Sequence, residues 1–314
     1  MIKTITIRTV TPLITGGADN QSSDSPATIR IPSIRGMLRF WTRAIHPNDP
    51  HNIESKLWGK NGEWQGIRIF PARNIFRVKT LKFFPHKPQM AAVSAIRENQ
   101  EFTLSFIINN SHDLMEVQKA VWVWLNLGTL GRRARRGYGS LLWIPTQNDL
   151  LDGFISFDPA KDLIFDKNNT TTFLADYLKI GLHKILGSPL PSFPRKINNW
   201  FQIYTSDQVF VGRKVLNIKY DNSNTGMEML LHGVPENKRG LETNELGYGE
   251  RLASPLFWRL FPVEGDCSGS KGYIPVIVWS PRYDSKISVN SGIDSYLRGS
   301  LGINDSLAGI NLNT

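Results

Sequence analysis

The chain has 314 residues, which favours two domains, and its 40% apolar residues, including 9 Trp and 16 Phe, exclude an intrinsically disordered protein. One cysteine, Cys267, excludes an internal disulfide and points to a reducing, cytoplasmic compartment, and no signal peptide or membrane span is predicted. The net charge is +10, and the surplus lies entirely in residues 1–145, with 20 Lys and Arg against 9 Asp and Glu, whereas residues 146–314 have 17 against 18. Such concentration on one part of the chain favours a polyanionic partner such as a nucleic acid.

Hydrophobic periodicity in the first half predicts six elements in the order β-α-β-β-α-β. They are a strand at 2–10, a helix with Ser33 as N-cap and Pro47 as its end, β-like runs at 66–78 and 101–109, a helix over 111–128 with Gly128 as its C′ residue, and a strand at 140–145. The first helix has an apolar stripe of Ile34, Leu38, Trp41 and Ile45. This order predicts a ferredoxin-like domain, with an antiparallel sheet and both helices on one face.

The second half predicts a decorated copy of the same α+β fold. Its predicted elements are a strand at 153–159, a helix over 170–187 ended by Gly187, a short helix at 225–234, and strands at 251–263 and 272–281. The residues from 285 to 314 are polar and glycine-rich and predict no element. We therefore expect two ferredoxin-like (RRM-like) domains, spanning residues 1–147 and 148–314.

A glycine- and arginine-rich loop separates the second helix from the next strand. Residues 128–140 read GTLGRRARRGYGS, with no acidic residue among them. Glycines permit positive φ and close backbone approach, and successive exposed N–H groups in such a turn bind anions. Guanidinium groups match a phosphate with two parallel hydrogen bonds. The loop therefore predicts a phosphodiester contact rather than a solvated loop of mutually repelling arginines, and the residues assigned to it are Gly131, Arg132, Arg133, Arg135, Arg136, Gly137, Tyr138 and Gly139.

Three arginines on the first helix predict a second phosphate-binding surface. Arg35, Arg39 and Arg43 are spaced i, i+4 and i+8, so they share one face of the helix. No acidic residue lies within that helix to pair with them, and the alternative is an ordinary solvated face. Together with the loop, these arginines predict a basic cleft formed by two separate segments.

Three stretches of the first half resemble the RAMP proteins of CRISPR systems. They are TPLITGGAD at 11–19, SIRGMLRFW at 33–41 and GTLGRRARRGYGSL at 128–141. The glycine loop alone indicates only the superfamily, whereas the first two stretches narrow the resemblance to subunit one of the type III-B Cmr RNA-guided effector complexes. RLASPLFWR, at 251–259, resembles a RAMP motif more loosely.

The resemblance implies a function as well as a fold. It implies two ferredoxin-like domains with a basic cleft between them, and a non-catalytic subunit in antiviral defence. Its implied partners are guide CRISPR RNA near its 3′ end, target RNA and other RAMP subunits of the complex. Because guide and target are read by base pairing, such a subunit holds the RNA backbone without reading its sequence.

Endoribonuclease activity is the alternative function, because some RAMP proteins cut RNA. One kind uses a histidine as general base, and His46 and His51 are candidates, although neither has an orienting partner in the sequence. The repeating subunit of such complexes uses an Asp in the loop after the first strand, where Asp19 and Asp24 would hold Mg²⁺ or simply cap turns. A protein-only scaffold is a third possibility.

Other chemistry has little support in the sequence. Six histidines and one cysteine show no zinc spacing, so we expect no metal or cofactor, and Ser254 in GYGERLASP is better explained by entry into a strand than by a nucleophile. Two aromatic residues flank the loop. Trp143, on an apolar strand, is expected in the core, while Tyr138 fits either the core or stacking on a base.

Overall fold

The structure is a computed structural model of the chain. It describes residues 1–16, 27–60, 66–72, 75–82, 92–132, 134, 137–163, 170–187, 201–204, 208–212, 216–217, 256–264 and 272–279. Several sequence-based assignments lie outside the described residues: Asp19, Asp24, Arg133, Arg135, Arg136, Ser254, Cys267, the helix at 225–234 and the segment 285–314.

The first half forms the predicted ferredoxin-like sheet. Its elements are β1 (Ile2–Thr9), α1 (Ile31–Ile45), α2 (Pro50–Trp58), β2 (Arg68–Pro71), β3 (Val78–Lys82), β4 (Ala92–Ile96), β5 (Glu101–Ile107), α3 (Ser111–Leu127) and β6 (Leu141–Ile144). The sheet has the order β2-β5-β1-β6, and each pair is antiparallel, with Ile5 opposite Leu104 and Ile7 opposite Trp143. The strands, α1 and α3 therefore confirm the β-α-β-β-α-β prediction.

Two insertions decorate this sheet, and the sequence pattern predicted neither. The helix α2 is short, and the hairpin β3–β4 lies apart from the four-stranded sheet. The predicted β-like run at 66–78 therefore splits, with β2 in the main sheet and Val78 starting the hairpin. A bridge between Leu13 and Ile96 joins the hairpin to the segment after β1.

The start of α1 differs from the prediction. Arg30 occupies the N-cap position, without a side-chain cap, and Pro32 lies within the first turn. Proline suits the first turn because its ring fixes a helical φ and its missing N–H is not needed there. Ser33 is therefore inside the helix and is not its N-cap.

The second half contributes a helix and an antiparallel sheet. Its elements are α4 (Pro159–Asp162), α5 (Thr170–Leu186), β7 (Val209–Val211), β8 (Leu216–Asn217), β9 (Leu256–Val263) and β10 (Gly272–Trp279). β9 pairs with β10 along its whole length, and the other edge of β10 pairs with β7 at residues 276–278 and with β8 at residues 272–273. Gly187 ends α5 with φ +88°, as predicted. The predicted strand at 153–159 is wrong, because turns and irregular backbone precede α4 there.

The two halves share one hydrophobic core. Phe257 of β9 packs against Trp41 of α1, with ring centroids 5.3 Å apart. Trp122 of α3 lies directly against Gly181 of α5. The backbone N–H of Ile203 donates to Ala44 O at the end of α1, at 2.8 Å. The second half therefore packs against α1 and α3 of the first half.

Candidate nucleic-acid interface

Hydrogen bonds hold the backbone on both sides of residues 133–136. We call residues 128–132 and 137–140 the loop base. Within it, Leu130 N donates to Gly139 O at 2.8 Å. Arg132 N and Gly139 N donate to Ile14 O and Pro12 O at 2.8 and 2.9 Å. The loop base is therefore joined to the segment that follows β1.

Glycine is required in the loop base by conformation and by space. Gly131 and Gly139 have φ of +90° and +64°. A Cβ at Gly139 would lie 1.9 Å from Leu130 O, and one at Gly131 would lie 2.5 Å from Ile14 O. Gly128 follows α3 as predicted, but its φ of −109° is not left-handed; there, a Cβ would meet the Trp41 indole at 2.3 Å. These glycines therefore fix the backbone of the loop base.

An acidic residue from α2 engages two of the three α1 arginines. Arg43 Nη1 donates to Glu54 Oε2 at 2.8 Å, and Arg39 Nη1 lies 3.5 Å from Glu54 Oε1. Arg39 Nη2 also donates to the carbonyls of Trp58 and Gly59. Although α1 itself contains no acidic residue, two of its arginines therefore have an acidic partner on another helix. Two guanidinium groups share one carboxylate, so this surface remains net positive.

Arg35 is in a different position from Arg39 and Arg43. It has no acidic partner among the described residues, and its Nε is buried without a hydrogen bond from that part of the chain. Burial, and to a lesser extent the charge of Arg39, lower the pKa of its guanidinium. Arg35 is thus an α1 cation whose desolvation an incoming anion would offset.

A small pocket lies where the start of α1 meets the loop base. It is partly open to solvent and is lined by Leu13, Thr15, Gly16, Thr28, Ile29, Arg30, Ser33, Leu130 and Gly131. No acidic residue is among those lining residues, and none lies in the first turn of α1. A helix N-terminus without an acidic neighbour attracts anions. We call this the α1 pocket.

Two arginines border the α1 pocket from opposite segments. Arg30 Nη1 donates to Gly16 O at 3.3 Å, and side-chain carbons of Arg132 approach the same glycine. Thr15, 6% exposed, has an Oγ1 without a hydrogen-bond partner in the described ranges. Arg30 and Thr15 were not singled out from the sequence; a basic N-cap next to a Gly-rich loop was the available signal.

The aromatic residues beside the loop belong to the core. Trp143 is 7% exposed, and its Nε1 donates to Asp149 Oδ2 at 3.0 Å, which confirms the core prediction. Tyr138 is 1% exposed. Its ring offers no free face to a base, so the stacking alternative for Tyr138 is corrected in favour of the core, because the loop base folds that residue inward.

His46 has an orienting partner that the sequence did not show. Its Nε2 lies 2.8 Å from Glu116 Oε2 on α3. Burial raises the pKa of Glu116, but hydrogen bonds from His46 and Lys119 outweigh it and lower the pKa to about 2. His46 caps the C-terminal end of α1, about 22 Å along the helix from the α1 pocket. His51, 60% exposed, lies 3.9 Å from Glu54.

Neither a metal cluster nor a membrane helix occurs in the described part of the chain. No group of three or more His, Cys, Asp or Glu side chains there is arranged to hold a metal. None of the described helices combines the length and apolarity that crossing a bilayer requires.

Comparison with known proteins found a family-model match to part of the chain and solved structures of similar fold. Residues 6–141 match the model of the RAMP superfamily, and no curated protein sequence matches the chain. The fold is similar to Cmr1 from Pyrococcus furiosus in its apo form, with 16% identity over 96% of this chain and 97% of that chain and a TM-score of 0.54.

Two cryo-EM structures of the Type III-B Cmr-beta complex also contain a similar chain. In the complex bound to cognate target RNA and AMPPnP in the presence of ssDNA, the identity is 14% over 95% of this chain and 97% of that one, with a TM-score of 0.55. In the complex bound to cognate target RNA, the identity is 13% over 94% and 98%, with a TM-score of 0.55. At these identities the shared property is the fold, over nearly the full length of both chains.

Proposed function

We propose, because residues 6–141 match the model of the RAMP superfamily, that this protein is an RNA-binding subunit of a type III-B Cmr effector complex. Its partners would be guide CRISPR RNA, near the 3′ end of the guide, target RNA and neighbouring RAMP subunits, and its role would be antiviral defence. The similar chains in Cmr complexes bound to target RNA support this proposal.

The observation that carries the proposal is the α1 pocket. A helix N-terminus, Arg30 and the loop base with Arg132 meet there around a cavity whose described lining residues include no acid. Backbone N–H groups and guanidinium groups bind phosphate oxygens and do not distinguish bases. We therefore assign RNA phosphates to this pocket, with Arg133, Arg135, Arg136 and Arg35 as further contacts.

The α1 arginines beside α2 enter the proposal as a secondary surface. Arg39 and Arg43 are about one-third exposed and share the single carboxylate of Glu54. An RNA phosphate would compete with Glu54 for them, so each contributes less binding than an arginine without an acidic partner.

A charge-matched pair of variants tests the RNA-binding role. One variant replaces Arg132, Arg133, Arg135 and Arg136 by alanine; the control replaces Lys3, Arg8, Lys161 and Lys179, which lie on β1, α4 and α5. RNA affinity is measured against salt concentration for several unrelated single-stranded sequences. We expect only the loop variant to weaken binding, alike on all sequences, and to reduce the salt slope by up to about 3. Equal losses in both variants would show that net charge, and not the loop, binds the RNA.

We propose that the protein does not cleave RNA. His46 is separated from the α1 pocket by the length of α1, and its Nε2 faces Glu116. Labelled RNA incubated with the purified protein, with and without Mg²⁺, should stay intact. Cleavage that disappears in an Asp19→Ala or a His46→Ala variant would establish the nuclease alternative instead.

A further inference from the structure

Strand β9 of the second half contacts the second arm of the loop base, residues 137–140. The backbone N–H of Leu260 donates to Ser140 Oγ at 3.0 Å. Ser140 is fully buried, and its hydroxyl donates in turn to Gly137 O at 2.9 Å. Its backbone N–H donates to Thr11 Oγ1, also at 2.9 Å. A chain of hydrogen bonds therefore runs from β9 through Ser140 into the loop.

Arg259, next to Leu260, binds the chain just before and just after the loop. It is fully buried, and its Nη1 donates to Leu125 O in the last turn of α3. Its Nη2 donates to Leu141 O, the first residue of β6. One guanidinium group thus joins the two elements between which the loop is held.

The surroundings of Arg259 contain little that compensates its charge. No acidic side chain pairs with it in the described part of the chain, and the Phe261 ring lies beneath the guanidinium at 3.8 Å from centroid to Cζ. Burial lowers the pKa of Arg259 to about 9, with the nearby Tyr177 opposing that shift. The negative end of the α3 dipole, at Leu125 O, stabilises the positive charge of Arg259.

A buried charge of this kind is costly, and apolar residues of similar size often replace one without loss of stability. Stability alone therefore does not account for an arginine at this position. An apolar side chain lacks the hydrogen-bond donors of the planar guanidinium group. These donors bind two carbonyls, one on either side of the loop, and fix the distance between them.

We infer that Arg259 is a positioning residue: from the second half of the chain it holds α3 and β6, the elements on either side of the loop base, and so orients Arg132 for the proposed contact with RNA. This inference rests on the RNA-binding function proposed above. The rigidity that Arg259 gives the loop does not depend on RNA.

The experiment compares Arg259→Met with wild type in the full-length protein, by amide hydrogen exchange and by binding of a labelled single-stranded oligouridine. We expect the loop amides, including those of Leu130, Arg132 and Gly139, to exchange on the order of tenfold faster, while amides of β5 keep their protection. RNA affinity should fall on the order of fivefold to tenfold. Gly181→Ala, which disturbs the α3–α5 contact between the halves, is the control; it should speed exchange without preference for the loop.

A second variant covers the case in which Arg259→Met does not fold. Ser140→Ala leaves the buried charge in place and removes the hydroxyl that links Leu260 N to Gly137 O. It should give the same loop-specific exchange and a smaller loss of affinity.

The outcomes separate the two proposals. A folded Arg259→Met protein, or a Ser140→Ala protein in its place, with unchanged loop exchange overturns the positioning role, whatever RNA does. Faster loop exchange with full RNA affinity also overturns it, because the loop then binds RNA without being positioned. Wild-type protein that binds no RNA overturns the proposed function, and loop exchange then still decides whether Arg259 holds the loop.

Discussion

Gly139 and Gly36 differ in backbone conformation and in the space around them. Gly139 has a left-handed backbone, with Leu130 O where a Cβ would be. Gly36 lies within α1, and nothing is within 4 Å of the position where its Cβ would stand. Composition cannot distinguish them, because only the approach of another segment makes the first glycine irreplaceable.

We predict opposite effects of alanine at these two positions. Gly139→Ala should lower the free energy of unfolding by at least about 2 kcal/mol, since it combines positive φ with a steric clash. Gly36→Ala should raise it by roughly 0.5 to 1 kcal/mol, because alanine loses less backbone entropy in a helix. Urea unfolding of both variants measures this. A Gly139→Ala protein as stable as wild type would show that the loop base does not have this geometry in solution.

At the scale of elements, α1 is held by acidic residues of two other helices. Glu54 of α2 engages its arginine face, and Glu116 of α3 holds His46 at its C-terminal end. Both carboxylates are buried, and both contact basic side chains of α1 or of its C-cap from another helix. Periodicity predicted α1 well because its apolar stripe is local. The partners of its polar face came from an unpredicted helix and from α3.

The contact between α1 and α3 predicts a specific pH dependence. The pKa of Glu116 falls from 4.5 to about 2 in the folded protein, so the stabilisation is complete above pH 4.5 and is lost as the pH falls toward 2. Between these limits we expect wild type to lose roughly 2 kcal/mol more unfolding free energy than Glu116→Gln. Denaturant unfolding at a series of pH values measures the difference.

Glu101→Gln is the matched control for that prediction. The Glu101 carboxylate is half exposed and pairs with Arg8, and exposed ion pairs contribute at most about 1 kcal/mol. If Glu116→Gln and wild type lost stability in parallel between pH 4.5 and 2, the contact of Glu116 with His46 and Lys119 would not be a significant source of stability.

At the scale of the whole molecule, the halves meet through close helix packing and through β9. Gly181 of α5 lets the Trp122 indole of α3 lie where a side chain would otherwise be. Trp122 also stacks on Phe154 with centroids 6.0 Å apart. Together with the contacts of Phe257 and Arg259, this packing favours a single unit over two independent domains.

Gly181→Ala should therefore weaken the whole protein. Its Cβ would stand 1.9 Å from Trp122 Cζ2, and we expect a loss of roughly 1 to 3 kcal/mol by overpacking. Thermal unfolding measures the loss, and Trp122→Phe is the background in which the same substitution should cost less. An equal cost in both backgrounds would mean that the indole is not what the new methyl group meets.

The sequence alone determined the order of elements in the first half, the position of the glycine-arginine loop and the concentration of positive charge. These follow from local periodicity, turn residues and composition, which act over a few neighbouring residues. The predicted strand at 153–159 was wrong because alternation is a local pattern, whereas strand formation requires a partner, and no strand in the described part of the chain pairs with this segment.

Only the tertiary structure decided which arginines have acidic partners, that Tyr138 is buried, and that Arg30 borders the pocket while Arg39 and Arg43 face Glu54. Each of these depends on contacts between different elements of the fold, such as Arg43 of α1 with Glu54 of α2. A charged side chain has the same local pattern whether it faces solvent or a distant carboxylate, so its partner is set by packing and not by the sequence around it.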